Sequence, residues 1–186
     1  MHRQCGACDC WVDIYELEKI LTQYKSLDFN DLEYSAVNEF KYGLELYKGA
    51  FMEDLTKSIS PWFDEWIATE REFLLRQVLE GYEKLVLYRI EKQDWDLGIE
   101  EARHMITLSH FHQNGWFLLM RCLAKSGDLR RAQEAYEDYE RIPTDHVKHS
   151  KTEQEMNLLY RRIGRRISGI KLNLDGTEPD QEVPLE

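Results

Sequence analysis

The amino-acid sequence predicts an all-α fold of about seven helices, and two observations support this prediction. Apolar residues recur at helical spacing along nearly the whole chain, and no convincing alternation with period two, the mark of a β-strand, interrupts them. In addition, one segment of the chain repeats itself at a fixed distance. A repeat of this kind indicates an array of stacked helical hairpins.

The first half of the chain contains three of the predicted helices. The first begins near Asp13, its predicted N-cap, and the second follows Asp31. The third follows the predicted N-cap Ser60 and has Pro61 at its first position, where the fixed φ of proline suits a helix start. Its pattern continues to about Lys92, either as one long helix or as two helices in close succession.

The internal repeat has a period of 34 residues, which is the tetratricopeptide period. Small residues, Gly98 in one copy and Ala132 in the other, would let the second helix of each copy approach the first. Asp94 and Asp128 stand in the turns as predicted helix caps. The aligned pairs are Tyr82 with Trp116, Leu85 with Leu119, Gly98 with Ala132 and Ala102 with Tyr136. The sequence therefore predicts a tetratricopeptide-like helical array, with repeats near residues 79–112 and 113–146.

The remaining segments complete the predicted domain organisation. A closing helix from Thr152 to Ser168 would cover the exposed end of the second repeat, because two repeats are too few to form a stable array alone. We interpret residues 1–11 as an N-terminal tail or linker, residues 12–168 as the helical domain and residues 169–186 as a disordered acidic tail.

Composition and charge exclude several classes of function. The chain has 35 acidic and 24 basic residues and a net charge of −11, whereas a protein that grips duplex DNA needs a basic surface. The same charge argues against binding to anionic membrane surfaces, and no apolar run is long enough for a membrane span. We therefore expect a domain that binds neither nucleic acid nor membrane directly. The four cysteines do not form a spaced disulfide framework and no secretory signal is visible, so we expect a cytoplasmic location.

Three phrases in the sequence, taken in order, resemble the bacterial transcriptional activator domain family, which is found in SARP-type transcription regulators. They are "WVDIYELEKIL", "LELYKGAFMEDL" and "WIATEREFLLRQ", the last with Trp66, Glu70 and Arg71. The two repeats and the closing "LLYRRI" then follow in the order of the family, so the resemblance covers roughly Val12 to Ile167.

This resemblance implies a non-catalytic regulatory domain that follows a winged helix, supports oligomerisation and activates transcription through RNA polymerase. The implied partners are therefore proteins: a second copy, RNA polymerase or the DNA-binding domain of the same regulator. The alternative interpretation is a free-standing tetratricopeptide-like adaptor that binds a peptide or a small effector. An upstream reading frame that encodes a winged helix would favour the activator.

Two surfaces are candidates for contact with partners. In tetratricopeptide folds, the inner groove is lined by first-helix positions two before, one after and five after the Trp position. The corresponding residues here are Glu80, Glu83, Leu87, Asn114, Phe117 and Arg121. An accessible apolar groove rimmed by charge is typical of a peptide-binding or self-association surface, but the first two helices could equally fill it.

The second candidate surface is a basic face on the closing helix. It consists of Arg161, Arg162, Arg165 and Arg166, which share one side of the helix, away from Leu159 and Ile163. The simpler interpretation is that arginines near the helix C-terminus complement the macrodipole. The alternative is a contact surface for an acidic partner.

Neither metal, cofactor nor catalysis is predicted. Cys5, Cys8 and Cys10 supply at most three ligands where a structural zinc needs four, so we interpret them as reduced thiols. Cys122 is predicted to be a small core residue. Four histidines in predicted connectors are interpreted as solvated loop residues: His110, His112, His146 and His149. The chain has no phosphate-binding loop and no nucleophile or metalloprotease motif.

Overall fold

The computed structural model describes residues 13–53, 60–143 and 150–174. Within these ranges it contains seven α-helices, a short 3-10 helix and no strand, which confirms the predicted fold class. The helices are α1 (Asp13–Tyr24), α2 (Tyr34–Glu45), α3 (Pro61–Lys92), α4 (Trp95–Leu108), α5 (Gln113–Lys125), α6 (Leu129–Glu140) and α7 (Lys151–Leu174). The chain divides into two compact units, residues 1–81 and 82–186, and the boundary falls within α3.

The core of the first unit is built around an aromatic cluster. Tyr24 at the end of α1 lies 5.2 Å, ring centre to ring centre, from Phe40 of α2. Phe29 packs edge-on against Phe40 at 4.8 Å, an arrangement that the charge distribution of aromatic rings favours. The Tyr24 hydroxyl donates a hydrogen bond to Glu39 at 2.9 Å, so the polar end of this buried ring is satisfied.

The segment between α1 and α2 differs from the prediction. The second helix was expected directly after Asp31, but the chain first forms a 3-10 helix, Phe29–Asp31, and α2 begins at Tyr34. Burial of the Phe29 ring holds this short turn against the core. Glu33 then has an extended backbone at the N-cap of α2.

The second unit consists of two helical hairpins and a closing helix. The eight positions that the 34-residue shift aligns are all buried. A Cβ atom placed on Gly98 of α4 would lie 3.0 Å from the Cys122 sulfur of α5, so the small residue permits the close approach of these helices. Cys122 is fully buried, which confirms its predicted place in the core.

Of the two caps predicted in the repeats, one is confirmed and one is wrong. The Asp128 carboxylate accepts a hydrogen bond from the Arg131 backbone N–H at 3.2 Å, the contact that defines an N-cap. Asp94 occupies the N-cap position of α4, but its side chain makes no capping bond. Its carboxylate instead lies 3.6 Å from the Arg89 guanidinium, and the charge of that group explains the different orientation.

The closing helix extends further than predicted. α7 begins at Lys151, packs Met156 and Ile163 into the core and continues to Leu174, beyond the expected end at Ser168. Its Tyr160 ring stacks on Tyr136 of α6 at 4.4 Å. Residues 175–186 of the predicted acidic tail lie outside the described residues. The segment from Pro61 to Lys92 forms one uninterrupted helix and not two helices in close succession.

Candidate protein-interaction surfaces

A hydrogen-bonded network joins three helices of the second unit at the predicted groove. The Glu83 carboxylate of α3 accepts hydrogen bonds from His112 at 2.8 Å and from the Asn114 side-chain amide at 2.9 Å. Because an ionised carboxylate accepts only, the His112 Nε2 atom carries the proton in this contact. The Asn114 amide oxygen in turn accepts from the Thr152 hydroxyl of α7 at 2.9 Å.

A second set of contacts fixes the start of α7 beside the start of α5. The Ser150 hydroxyl accepts from the Glu153 backbone N–H at 3.0 Å and so caps α7. The same hydroxyl donates to the Gln113 side-chain oxygen at 2.5 Å, and the Gln113 amide donates to the Tyr139 hydroxyl at 3.0 Å. The first turn of α7 is therefore positioned by polar contacts with α5.

The network changes the ionisation of Glu83. Burial is the largest single influence and opposes ionisation, but the hydrogen bonds from His112 and Asn114 together bring the pKa of Glu83 below its ordinary value. The interpretation of His112 as a solvated loop residue is wrong, because its ring is held by Glu83. His110 is exposed, but its carbonyl oxygen accepts from the Trp116 indole N–H at 2.9 Å.

The predicted groove residues differ in what they can offer a partner. Glu83 and Asn114 make their hydrogen bonds within the chain. Leu87 is 46% exposed, and the Arg121 guanidinium lies 5.6 Å from the centre of the half-buried Phe117 ring. Glu80 is exposed on the part of α3 that belongs to the first unit. A role of these six residues in partner binding stays a prediction.

The basic face of α7 lies in the middle of the helix. Arg161, Arg165 and Arg166 are exposed and Arg162 is half-buried, while Leu158 beside them is 51% exposed. None of the four arginines forms an ion pair with another described residue. Because α7 continues to Leu174, the arginines lie before its last turn, and the macrodipole acts on charges within the last turn. The macrodipole interpretation of this cluster is therefore wrong.

In the first unit, Arg71 holds a strained turn. Its guanidinium donates to the carbonyl oxygens of Phe51 at 2.6 Å and of Met52 at 2.7 Å. Met52 has a φ of 52°, in the left-handed region that a non-glycine residue adopts at a cost. The Trp66 ring packs edge-on against Phe51 at 5.9 Å. Trp66 and Arg71 belong to the segment "WIATEREFLLRQ". They hold Phe51 and Met52 of the segment "LELYKGAFMEDL" against α3.

Sequence reasoning missed an exposed surface on the first half of α3. Trp62 is 75% exposed, and Trp66 and Phe73 are each about two fifths exposed on the same side of the helix. Glu65 and Glu72 are exposed beside them and form no ion pair with a described residue. We call these five residues the aromatic–acidic stripe. The spacing of Trp62, Trp66 and Phe73 on a single helix was the available signal.

The described residues show no arrangement typical of a metal site or a reactive thiol. They contain no cluster of three or more potential metal ligands, while Cys5, Cys8, Cys10, His146 and His149 lie outside them. Burial raises the pKa of the Cys122 thiol to about 12, so it stays protonated and unreactive. No helix in the described ranges combines the length and apolarity needed to cross a lipid bilayer.

These observations define a class: an all-α domain that contains two helical repeats. Comparison with protein families assigns the chain more closely. Residues 12–163 match the model of the bacterial transcriptional activator domain, and the chain belongs to this family. The family is a regulatory one and not an enzyme family. A search of curated proteins found no match to the chain.

Proposed function

We propose that the chain is the non-catalytic, protein-interaction domain of a cytoplasmic bacterial transcription activator. It self-associates and contacts the transcription machinery or another domain of the same regulator. The family assignment supports the activator part of this proposal. The observation that carries the interaction part is the basic face of α7, with four arginines that make no ion pair among the described residues.

Charge explains why a protein partner fits this face better than a nucleic acid. The chain as a whole carries a net charge of −11, so a polyanion would be repelled by most of its surface. A protein surface with a few carboxylates can contact the four arginines without facing that wider repulsion. Arginine also pairs with carboxylates through two parallel hydrogen bonds, which adds specificity to such a contact.

The proposal is tested by fusing the chain to an unrelated DNA-binding domain upstream of a reporter promoter in a bacterial cell. The expected result is increased transcription and co-purification of RNA polymerase with the fusion protein. The double variant Arg161→Glu/Arg165→Glu should reduce activation about tenfold, because it leaves the face with no net charge and places two carboxylates opposite an acidic partner.

A matched control carries the same change of charge elsewhere in the second unit. Arg103 on α4 and Arg130 on α6 are both exposed and lie outside the basic face. The Arg103→Glu/Arg130→Glu variant should activate like the original chain. A fusion that neither activates nor retains polymerase would contradict the activator function. Capture of a defined peptide by that same chain would then favour the adaptor alternative.

A further inference from the structure

The aromatic–acidic stripe on α3 has the composition of a protein-binding surface. Aromatic side chains are enriched in interface cores, and Trp is among the residues whose loss weakens binding most. Trp62 at 75% exposure is unusual for a side chain of this size and polarity. The stripe runs along about three helical turns, roughly 16 Å from Trp62 to Phe73.

The basic face on α7 is complementary to this stripe in charge and in the types of side chain that it presents. It presents four arginines beside the exposed Leu158, and the stripe presents two carboxylates beside three aromatic rings. A guanidinium can stack on an aromatic ring and at the same time donate hydrogen bonds to a carboxylate. The two surfaces also have similar lengths, since Leu158 to Arg166 spans about 12 Å of helix.

Both surfaces are accessible among the described residues of the chain, although Trp66 of the stripe also packs against Phe51 and Phe63. The carboxylates of Glu65 and Glu72 form no ion pair there, and neither do the four arginines of the basic face. Charged groups that are already hydrated and unpaired lose no internal partner when a second molecule covers them. Each copy of the chain carries one surface of each kind, the stripe in its first unit and the basic face in its second.

We propose that the basic face of α7 binds the aromatic–acidic stripe on α3 of a second copy of this chain. The inference deepens the proposed function, on which it rests, because it assigns a surface to self-association. The contact joins two different surfaces and is therefore heterologous. Arginine–carboxylate pairs select the partner surface, and the rings of Trp62, Trp66 and Phe73 supply the apolar area.

The proposal is tested by sedimentation velocity on the full chain up to about 100 µM, where a contact of micromolar Kd is saturated. The chain should self-associate, and association should weaken when ionic strength rises from about 0.1 to 1 M, because the Debye length falls from about 10 to 3 Å. A chain that stays monomeric, or an association insensitive to salt, would overturn the proposal.

Charge exchange between the two surfaces provides the specific test. The basic-face variant Arg161→Glu/Arg165→Glu and the stripe variant Glu65→Arg/Glu72→Arg should each fail to associate. The first leaves the basic face with no net charge to attract the stripe, and the second gives both surfaces a positive charge. An equimolar mixture should associate again, since the unchanged basic face of the stripe variant meets the unchanged stripe of the basic-face variant. Two variants that each associate normally, or a mixture that stays monomeric, would contradict the assignment of these surfaces.

The apolar part of the contact is tested with Trp62→Ala, which should raise the dissociation constant about tenfold, as expected for a hot-spot residue. Phe111→Ala is the matched control, because Phe111 is 67% exposed but lies outside both surfaces. Circular dichroism verifies that each variant keeps its helices. Equal effects of the two substitutions would contradict a specific role of the stripe.

The reporter assay separates this proposal from the proposed function. A fusion that activates transcription although the chain is monomeric would refute the self-association surface and retain the activator function. If the basic face contacts RNA polymerase instead of a second copy, Glu65→Arg/Glu72→Arg should leave activation unchanged. Loss of activation in both charge variants, with recovery when they are co-expressed, is the result that the proposal requires.

Discussion

Gly43 on α2 shows how the size of one residue determines the contact between two helices. A Cβ atom at this position would lie 2.5 Å from Cγ2 of Ile20 and 3.0 Å from its Cβ, both close to the α1 backbone. These atoms are not the free end of a flexible chain, so they cannot move aside cheaply. The absence of a side chain at Gly43 therefore allows α1 and α2 to pack at their observed distance.

Alanine substitution at two helical glycines should consequently have opposite effects. Gly43→Ala should lower the free energy of unfolding by about 1–3 kcal/mol, the usual cost of overpacking. Gly169→Ala should raise it by up to about 1 kcal/mol, because alanine is the better helix former and no atom lies within 4 Å of the added Cβ. Urea denaturation measures both changes, and a stabilising Gly43→Ala would contradict the packing argument.

At the scale of residues, the sequence predicted a side-chain contact between residues that are close along the chain. It missed side-chain contacts between residues that are far apart along the chain. Asp128 caps α6 as expected, because its bonding partner lies three residues away. Asp94 does not cap α4, since its carboxylate lies beside Arg89 of the preceding helix. His112 could not be recognised as a partner of Glu83, because 29 residues separate them.

At the scale of elements, the two repeats place different types of side chain at the same pair of buried positions. Arg89 and Glu101 are buried in the first repeat, with their side chains 3.4 Å apart. The 34-residue shift places Leu123 and Ala135 at the same positions of the second repeat, where both are buried. In the second repeat, an apolar pair thus occupies the two buried positions that the ion pair occupies in the first.

The pair is tested by a double-mutant cycle that copies the second repeat into the first. Arg89→Leu alone should cost about 3–5 kcal/mol, because it removes the cation beside the buried Glu101 carboxylate. Glu101→Ala alone should cost less, because Arg89 still lies beside Asp94. The double variant should lose much less than the sum of the two. Arg130→Ala, which removes an exposed pair with Glu134, should cost no more than about 0.5 kcal/mol. Additive losses at Arg89 and Glu101 would refute the coupling.

The Glu83 network predicts a specific pH dependence of stability. Its folded-state pKa lies below the ordinary value of 4.5, so its contribution is complete above that value and is lost as pH falls through the folded pKa. The free energy of unfolding, measured with urea, should therefore fall more steeply between about pH 5 and pH 3 for the wild type than for Glu83→Gln. Parallel curves for the two proteins would show that the hydrogen bonds to Glu83 do not favour its ionised form.

For the whole molecule, the fold class followed from the sequence because helical periodicity is a local signal that the 34-residue repeat reinforces. The candidate surfaces could be predicted from the sequence only in part. Whether a residue such as Asn114 offers its amide to a partner depends on Thr152, 38 residues away. From the sequence alone, Trp62 would be expected in the core. Its exposure is seen only in the folded structure of the first unit.

The charge of the whole molecule leads to a last prediction, that this chain alone does not bind DNA. Its 35 acidic residues outnumber 24 basic ones, so the four arginines of α7 act within a repulsive field. Fluorescence anisotropy of a labelled random duplex at physiological salt should stay constant up to about 100 µM chain, the weak limit of ordinary non-specific binding. Binding that weakens with salt and disappears in Arg161→Glu/Arg165→Glu would contradict this expectation and assign the basic face to DNA instead. Constant anisotropy, together with the charge-exchange result, would leave protein carboxylates as the partners of these arginines.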